Sequence, residues 1–256
     1  MNHSTDSKLS NPKANQKYFD LVADRYEELD GRRTEELSWW LDDNLAKLAG
    51  ENKTGSLLDL GTGTGFVLTR AKPYFSHLVG MDISFGMLKE AVPEHQKLVQ
   101  ADSSSLPFTD ESFDAVTALA VLHHIQDHGQ AFREIFRVLR PGGRFYSDHD
   151  LCGTFSSRFS WPLSIYRKIF SIKRRYLSAE PRLTSELYEL TELHENGIDT
   201  LTLLEELKAV GFKNIHVEYH WRGLSNFFNR LSVLLGHREG SCPAGWAPSF
   251  ALFAEK

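Results

Sequence analysis

The 256-residue chain is 41% hydrophobic and 25% charged, the composition of a globular protein with one substantial core. Its formal net charge of −5 gives no basic surface for nucleic acid, and Cys152 and Cys242 lie too far apart for a metal-type spacing. No apolar run approaches the ~20 residues of a bilayer span, so stable membrane insertion is not expected, and free thiols point to a reducing cytoplasm.

Residues 1–16 are polar and lack the apolar core of a signal peptide, so they are expected to form a frayed tail. Residues 17–54 read as cap helices, with Phe19, Val22 and Tyr26, then Leu37, Trp40, Leu41, Leu45 and Leu48, at helical spacing. From residue 55 to 256 strands and helices alternate, which predicts an α/β domain whose parallel sheet carries helices on both faces. Strands are expected at Ser56–Leu60, Leu78–Asp82, Lys97–Ala101, Phe113–Leu119 and Arg144–Asp148. Helices fit between them at Thr64–Lys72, Ser84–Ala91 and Gly129–Leu139, with Pro73, Pro93, Pro107 and Pro141-Gly142-Gly143 as stops and turns. Residues 151–196 have no strand candidate and read as a helical insertion. A helix at Leu201–Val210, a strand at Lys213–Trp221, a short amphipathic helix at Ser225–Leu235 and a strand at Ser249–Glu255 complete the chain.

The most informative stretch is Leu57-Leu58-Asp59-Leu60-Gly61-Thr62-Gly63-Thr64-Gly65-Phe66. A buried strand runs into three alternating glycines and then a helix, which leaves bare backbone against which a ligand can lie. A dinucleotide fingerprint needs G-x-G-x-x-G, and Phe66 stands where its third glycine belongs. G-x-G-x-G instead suits S-adenosylmethionine, whose methionine portion has no phosphates. Asp82, at the end of the second strand, can take both ribose hydroxyls, although a helix-cap role is the simpler alternative. Asp102 ends the third strand and can accept from the adenine amino group beside Ser103, or serve only as a turn residue. Ile83 and Met87 could pack on the ring. Ligands bind at the carboxyl ends of parallel strands, so these elements converge on one crevice.

The series Leu58-Asp59-Leu60-Gly61-Thr62-Gly63-Thr64-Gly65, Asp82, Ala101-Asp102 through Phe108, Phe113-Asp114-Ala115-Val116, Leu122-His123-His124-Ile125 and Glu134 through Arg144 resembles class I S-adenosylmethionine-dependent methyltransferases. The small-molecule branch that includes ubiquinone and menaquinone methylases is the most similar. The resemblance covers about residues 55–150. It implies a Rossmann-like, seven-stranded, mostly parallel sheet whose last strand inserts antiparallel. It also implies cofactor contacts at Gly61, Thr62, Gly63, Gly65, Asp82 and Asp102. Asp59 would orient the turn, and Leu119 and Ala120 would run beside the sulfur. Tyr18 and Tyr26 match the family's N-terminal helix over the cofactor.

Methyl transfer from a sulfonium to a small-molecule acceptor needs alignment and exclusion of water more than dedicated side chains. No metal is required. Where an acceptor proton must leave, His124 and His149 are the first candidates for the base, among His123, His124, Asp148, His149 and Asp150. The insertion is expected to form a lid. Ile165, Ile169, Ile172 and Tyr176 recur at helical spacing, while Arg167, Lys168, Lys173, Arg174 and Arg175 supply charge for solvent, for an anionic substrate group or for peripheral membrane contact. Phe155, Phe159, Trp161 and Phe170 suggest an apolar acceptor. A catalytically silent S-adenosylmethionine-binding protein and an NAD-dependent oxidoreductase are the alternatives.

Overall fold

A computed structural model describes residues 9–30, 33–50, 54–91, 97–222 and 242–256. The amphipathic helix expected at Ser225–Leu235 lies outside the described residues. Helices α1 (Asn11–Val22), α2 (Tyr26–Asp30) and α3 (Glu35–Ala49) lead into β1 (Ser56–Leu60), α4 (Phe66–Ala71), β2 (His77–Asp82), α5 (Phe85–Glu90), β3 (Lys97–Gln100) and β4 (Phe113–Leu119). Then come α6 (His128–Val138), β5 (Leu139–Leu151), α7 (Gly153–Arg158), α8 (Ser160–Ile169), α9 (Ile172–Ala179), α10 (Ser185–Thr191), α11 (Thr200–Val210), β6 (Lys213–His220) and β7 (Ser249–Glu255).

The seven strands form one sheet in the order β3-β2-β1-β4-β5-β7-β6. Strands β1 to β5 pair in parallel, and β7 inserts antiparallel to both β5 and β6. Neighbouring residues along the central strands face opposite sides. Leu58, Val116, Phe145 and Phe250 pack with Phe132, Ile135 and Val138 of α6 and Leu203 and Leu207 of α11. Leu57, Ala115, Tyr146 and Ala251 pack with Leu41, Leu45 and Leu48 of α3 and with Val67, Leu68 and Ala71 of α4. Burial on both faces explains why these strands read as continuous apolar runs.

Most boundaries fall within two residues of expectation; α1, β5 and the insertion differ more. Helix α1 begins at Asn11, inside the expected tail, because Pro12 in its first turn is preset for helix. Strand β5 reaches from Leu139 to Leu151, since a register shift opposite Phe113 and Ala115 absorbs Pro141, Gly142 and Gly143 without ending the strand. A second shift falls between Asp148 and Asp150, and His149 at its apex has φ of 65°. The insertion is helical, as expected, but its apolar stripe is broken. Helix α8 stops at Ile169, and Ser171 caps α9 by accepting from Arg174 N. Ile165, Ile169 and Ile172 are exposed, whereas Tyr176 is buried. Tyr176, Leu183, Leu187 and Tyr188 form a third cluster with Ala14, Tyr18, Val22 and Leu29.

Candidate functional site

The glycine turn is held from below. Thr62 N donates to Met81 O at 2.9 Å, and Gly65 N donates to Thr62 O at 2.9 Å. Gly61, Gly63 and Gly65 have φ of 60°, 56° and 85°, in the left-handed region that glycine enters without penalty. A Cβ on Gly61 would lie 2.5 Å from Val121 Cγ2, and one on Gly63 would lie 3.2 Å from Met87 Cε. The chain after β4 and the start of α5 thus close on the turn.

Asp82 is buried. Its Oδ2 accepts from Gly63 N at 2.9 Å and its Oδ1 from Ser84 N at 2.8 Å. Ser84, not Asp82, caps α5, by accepting from Met87 N. Burial pushes the Asp82 carboxyl up to about 6, against the lowering by the Ser84 and Gly63 amides. Beneath the turn, Asp59 accepts from Thr117 Oγ1 at 2.7 Å and is raised to about 7 by burial. Asp102 accepts from Ser104 N at 2.8 Å in a local turn and is only partly buried, as is Ser103. Ala101 N bonds Asp82 O, and Gln100 Nε2 bonds Ile83 O, which brings the ends of β2 and β3 together.

A cavity opens above the turn, lined by Tyr26, Asp30, Arg33, Leu37, Gly61, Thr62, Gly63, Phe66, Val67, Leu119, Ala120 and His149. Seven of these were expected from sequence; Asp30, Arg33, Leu37, Phe66 and Val67 were not. Arg33 donates to Thr64 Oγ1 at 2.6 Å, pairs with Glu27, and lies 5.0 Å over the Phe66 ring. Its position before α3 carries no periodic or spacing signal, so sequence reasoning missed it. Ala120 and His149, at the ends of β4 and β5, are non-glycine residues with φ of 55° and 65°. Such strain costs about 1–3 kcal/mol each and concentrates where function demands it.

Tyr18 departs from expectation. It is 2% exposed, in ring contact with Phe19, Tyr176 and Tyr188, and absent from the cavity wall. Tyrosines on an apolar helix stripe readily become core, and burial here pushes the phenol well above its usual range.

The histidines divide into two networks. His149 Nε2 lies 3.1 Å from Arg222 O and its Nδ1 3.0 Å from Asp148 Oδ1. His220 Nε2 is 2.7 Å from the same oxygen, and its Nδ1 accepts from Arg222 N. Asp148 Oδ2 receives Trp40 Nε1 at 2.6 Å and the Tyr146 hydroxyl. Burial alone would raise Asp148, but His149 and His220 hold it well below the usual carboxylate range. In the second network His123 bonds the fully buried Asp150 through both Nδ1 (2.7 Å) and its backbone N (3.0 Å), while Nε2 lies 3.9 Å from Glu192. His124 Nδ1 bonds Thr191 O at 3.0 Å, its ring packs edge-on against Phe19, and burial with the neighbouring His123 lowers it to about 4. A ring so weakly basic is a poor proton acceptor near neutrality, which removes His124 as the leading base.

Both networks bring imidazole and carboxylate atoms within 4.8 Å of one another, but the Asp148 network does not suit a metal. His220 Nδ1 accepts a backbone hydrogen, so the proton sits on the nitrogen that faces Asp148. The His123 and His124 ring centroids lie 3.8 Å apart with their planes tilted by 44°, and each Nδ1 is engaged, by Asp150 and by Thr191 O respectively.

A model of the methyltransferase domain matches residues 58–147. The chain is 34% identical over 134 residues to a demethylmenaquinone methyltransferase of Roseiflexus castenholzii, a match covering 50% of this chain and 56% of that protein. It is 30% identical over 224 residues to a demethylmenaquinone methyltransferase of Mycobacterium sp. (strain JLS), covering 84% of this chain and 90% of the relative. Its fold is similar to that of a Thermotoga maritima S-adenosylmethionine-dependent methyltransferase, described as a possible histamine N-methyltransferase. There the TM-score is 0.61 at 18% identity, over 94% of this chain and 99% of that one. Among the described residues no helix is long and apolar enough to cross a membrane. The sheet order, the glycine turn gripped by Asp82 and these relatives agree, and the chain belongs to the class I S-adenosylmethionine-dependent methyltransferases.

Proposed function

We propose that this protein moves the methyl group of S-adenosylmethionine to a small, largely apolar acceptor. The observation that carries this reading is the buried Asp82 carboxylate, which accepts from Ser84 N and from Gly63 N of the glycine turn, the turn itself lining a cavity with Leu37, Phe66, Val67 and Leu119 in its wall. Bound S-adenosylmethionine supplies an electrophilic methyl on a good leaving group. The Gly61–Gly63 turn gives the methionine portion a bare surface, and Asp82 accepts from ribose hydroxyls. Asp102 has one carboxylate oxygen in its turn and offers the other to adenine. Arg33 and Asp30 stand where a carboxylate and an ammonium of the amino-acid end find opposite charges.

The acceptor reading rests on the cavity wall. Phe155 and Phe159 pack with Trp221 and Trp246, and Trp161 and Phe170 are exposed, so the aromatics of the insertion are not its source. No cation of the insertion lines the cavity, which argues against an anionic acceptor group. The insertion closes the site indirectly, through the α1 helix it packs on. Where the acceptor loses a proton, His123 takes it, because Asp150 accepts the Nδ1 hydrogen and leaves Nε2, 3.9 Å from Glu192, as the basic nitrogen. His149 has both ring nitrogens against protein atoms and acts as a wall. The free, buried Cys152 and Cys242 fit a cytoplasmic setting.

The test is turnover with a panel of acceptors, with S-adenosylhomocysteine as the readout. Relatives named for demethylmenaquinone make it the first acceptor to try. Product formation with at least one small apolar acceptor is expected. Binding of S-adenosylmethionine with no turnover on any of them would overturn the reading.

A further inference from the structure

The outer face of α8 has no role in the cavity and is unusual in composition. Among the described residues, five of the eleven exposed large hydrophobic side chains fall between positions 161 and 172: Trp161 (74% exposed), Ile165, Ile169 (65%), Phe170 and Ile172. Helix α8 has no buried residue. Trp161, Ile165 and Ile169 stand at i, i+4 and i+8, so they form one continuous outward stripe. Leu163 packs on the core from the opposite side, and Arg167 there bonds Asn196 and Glu195 O. The helix is therefore seated with its more apolar side facing out.

The charge of the segment that carries this stripe has one sign. Residues 151–179 contain six Lys and Arg and no Asp or Glu, in a chain whose net charge is −5. Arg167 is turned to the protein and Lys173 pairs with Glu189, but Lys168 and Arg174 are exposed. Lys168 lies one step from the stripe on the wheel. Arg158 lies over Trp246, which is itself half exposed. An apolar stripe with a tryptophan, rimmed by cations and running along the helix, is the pattern of a helix that rests in the headgroup region of a bilayer.

We propose that α8 and the start of α9 dock on an anionic lipid surface, with Trp161, Ile165 and Ile169 at the acyl boundary and Lys168 and Arg174 on the headgroups. The charge complementarity decides among occupants: a second copy of this face would bring like charges together.

Co-sedimentation of the full chain with vesicles of phosphatidylcholine alone, or with added phosphatidylglycerol, tests this. Binding is expected to the anionic vesicles and to fall with added salt. The triple variant Trp161→Ser/Ile165→Ser/Ile169→Ser is expected to lose about tenfold or more in affinity. Each of Lys168→Glu and Arg174→Glu should lose roughly fivefold on anionic vesicles only. S-adenosylhomocysteine affinity should be unchanged in all of them, because the residues lie away from the cavity, and this separates lost docking from lost folding. No binding to anionic vesicles at low salt overturns the proposal. So does equal binding of the triple variant, equal binding to neutral vesicles, or a concentration-dependent dimer that the triple variant abolishes.

Discussion

Asp82 Oδ2 accepts the Gly63 amide hydrogen at 2.9 Å, so the carboxylate that ends β2 grips the glycine turn that ends β1. In the proposed reading, one side chain sets the shape of the methionine subsite and offers its remaining lone pairs to ribose. Loss of Asp82 removes both effects. Asp82→Ala is expected to weaken S-adenosylmethionine binding by ~1.5–3 kcal/mol, roughly 10- to 150-fold, in calorimetric titration. A folded variant with wild-type affinity would refute the ribose role.

The same carboxylate makes cofactor binding depend on pH. Burial lifts Asp82 to about 6, so it gains a proton as the pH falls through that value and can no longer accept two hydroxyls. Affinity for S-adenosylhomocysteine should be flat above about pH 7 and fall below about pH 6. Asp82→Asn should bind weakly with no step in that range; an unaltered step assigns the titration to another group.

Arg33 offers a separate handle, because the amino-acid end of the cofactor is the only part with a carboxylate. Arg33→Gln is expected to weaken S-adenosylmethionine about tenfold or more while leaving decarboxylated S-adenosylmethionine nearly unaffected. Equal losses for the two ligands would mean that Arg33 acts only by holding Glu27 and Thr64 in place.

Asp59 gives a stability prediction of defined sign. Its folded carboxyl sits at about 7 against an ordinary 3.8, so between these values the folded chain holds a proton that the unfolded chain releases. Stability from this group falls as pH rises through that window, and the full cost applies above about pH 7. Asp59→Asn keeps the acceptor for Thr117 and removes the charge. Its unfolding free energy should match wild type at about pH 4 and exceed it at about pH 8, by a few kcal/mol at most. A gap that narrows with rising pH contradicts the assignment.

The two histidines after β4 should separate kinetically. With an acceptor that loses a proton, His123→Gln is expected to lower kcat by about 10²–10⁴ with little change in KM, and His124→Gln by only a few-fold. Asp150→Asn should lower kcat and shift the acidic limb of its pH profile, which a purely structural partner would leave in place.

Much of this was legible in the sequence because it rests on local pattern. The runs Ser56–Leu60, Phe113–Leu119 and Ser249–Glu255 are strands residue for residue, since burial on both faces leaves only apolar choices. The turn glycines and Asp82 stand at element ends that the pattern itself defines. What escaped were facts made by tertiary packing. Arg33 reaches the glycine turn from a segment about thirty residues earlier. Nothing near Tyr18 in sequence reveals that Tyr176 and Tyr188 will bury it. His123 and His124 look alike as neighbours, and only Asp150, Thr191 and Phe19, drawn from three other elements, make them different.

The third apolar cluster has a consequence for how such a protein can change. Helices α9 and α10 pack on α1, and Asn11 and Arg25 bond the backbone of Leu190 and Ala179. Two stretches some 160 residues apart therefore behave as one part, a roof tied to the layer below through Asn15 on His124 O and Asp20 on Ser84 and Gly86. Clipping the chain before Val22 would strip the inner side of that roof bare and take away Asp20, which accepts from Ser84 Oγ and Gly86 N at the start of α5 beside the glycine turn.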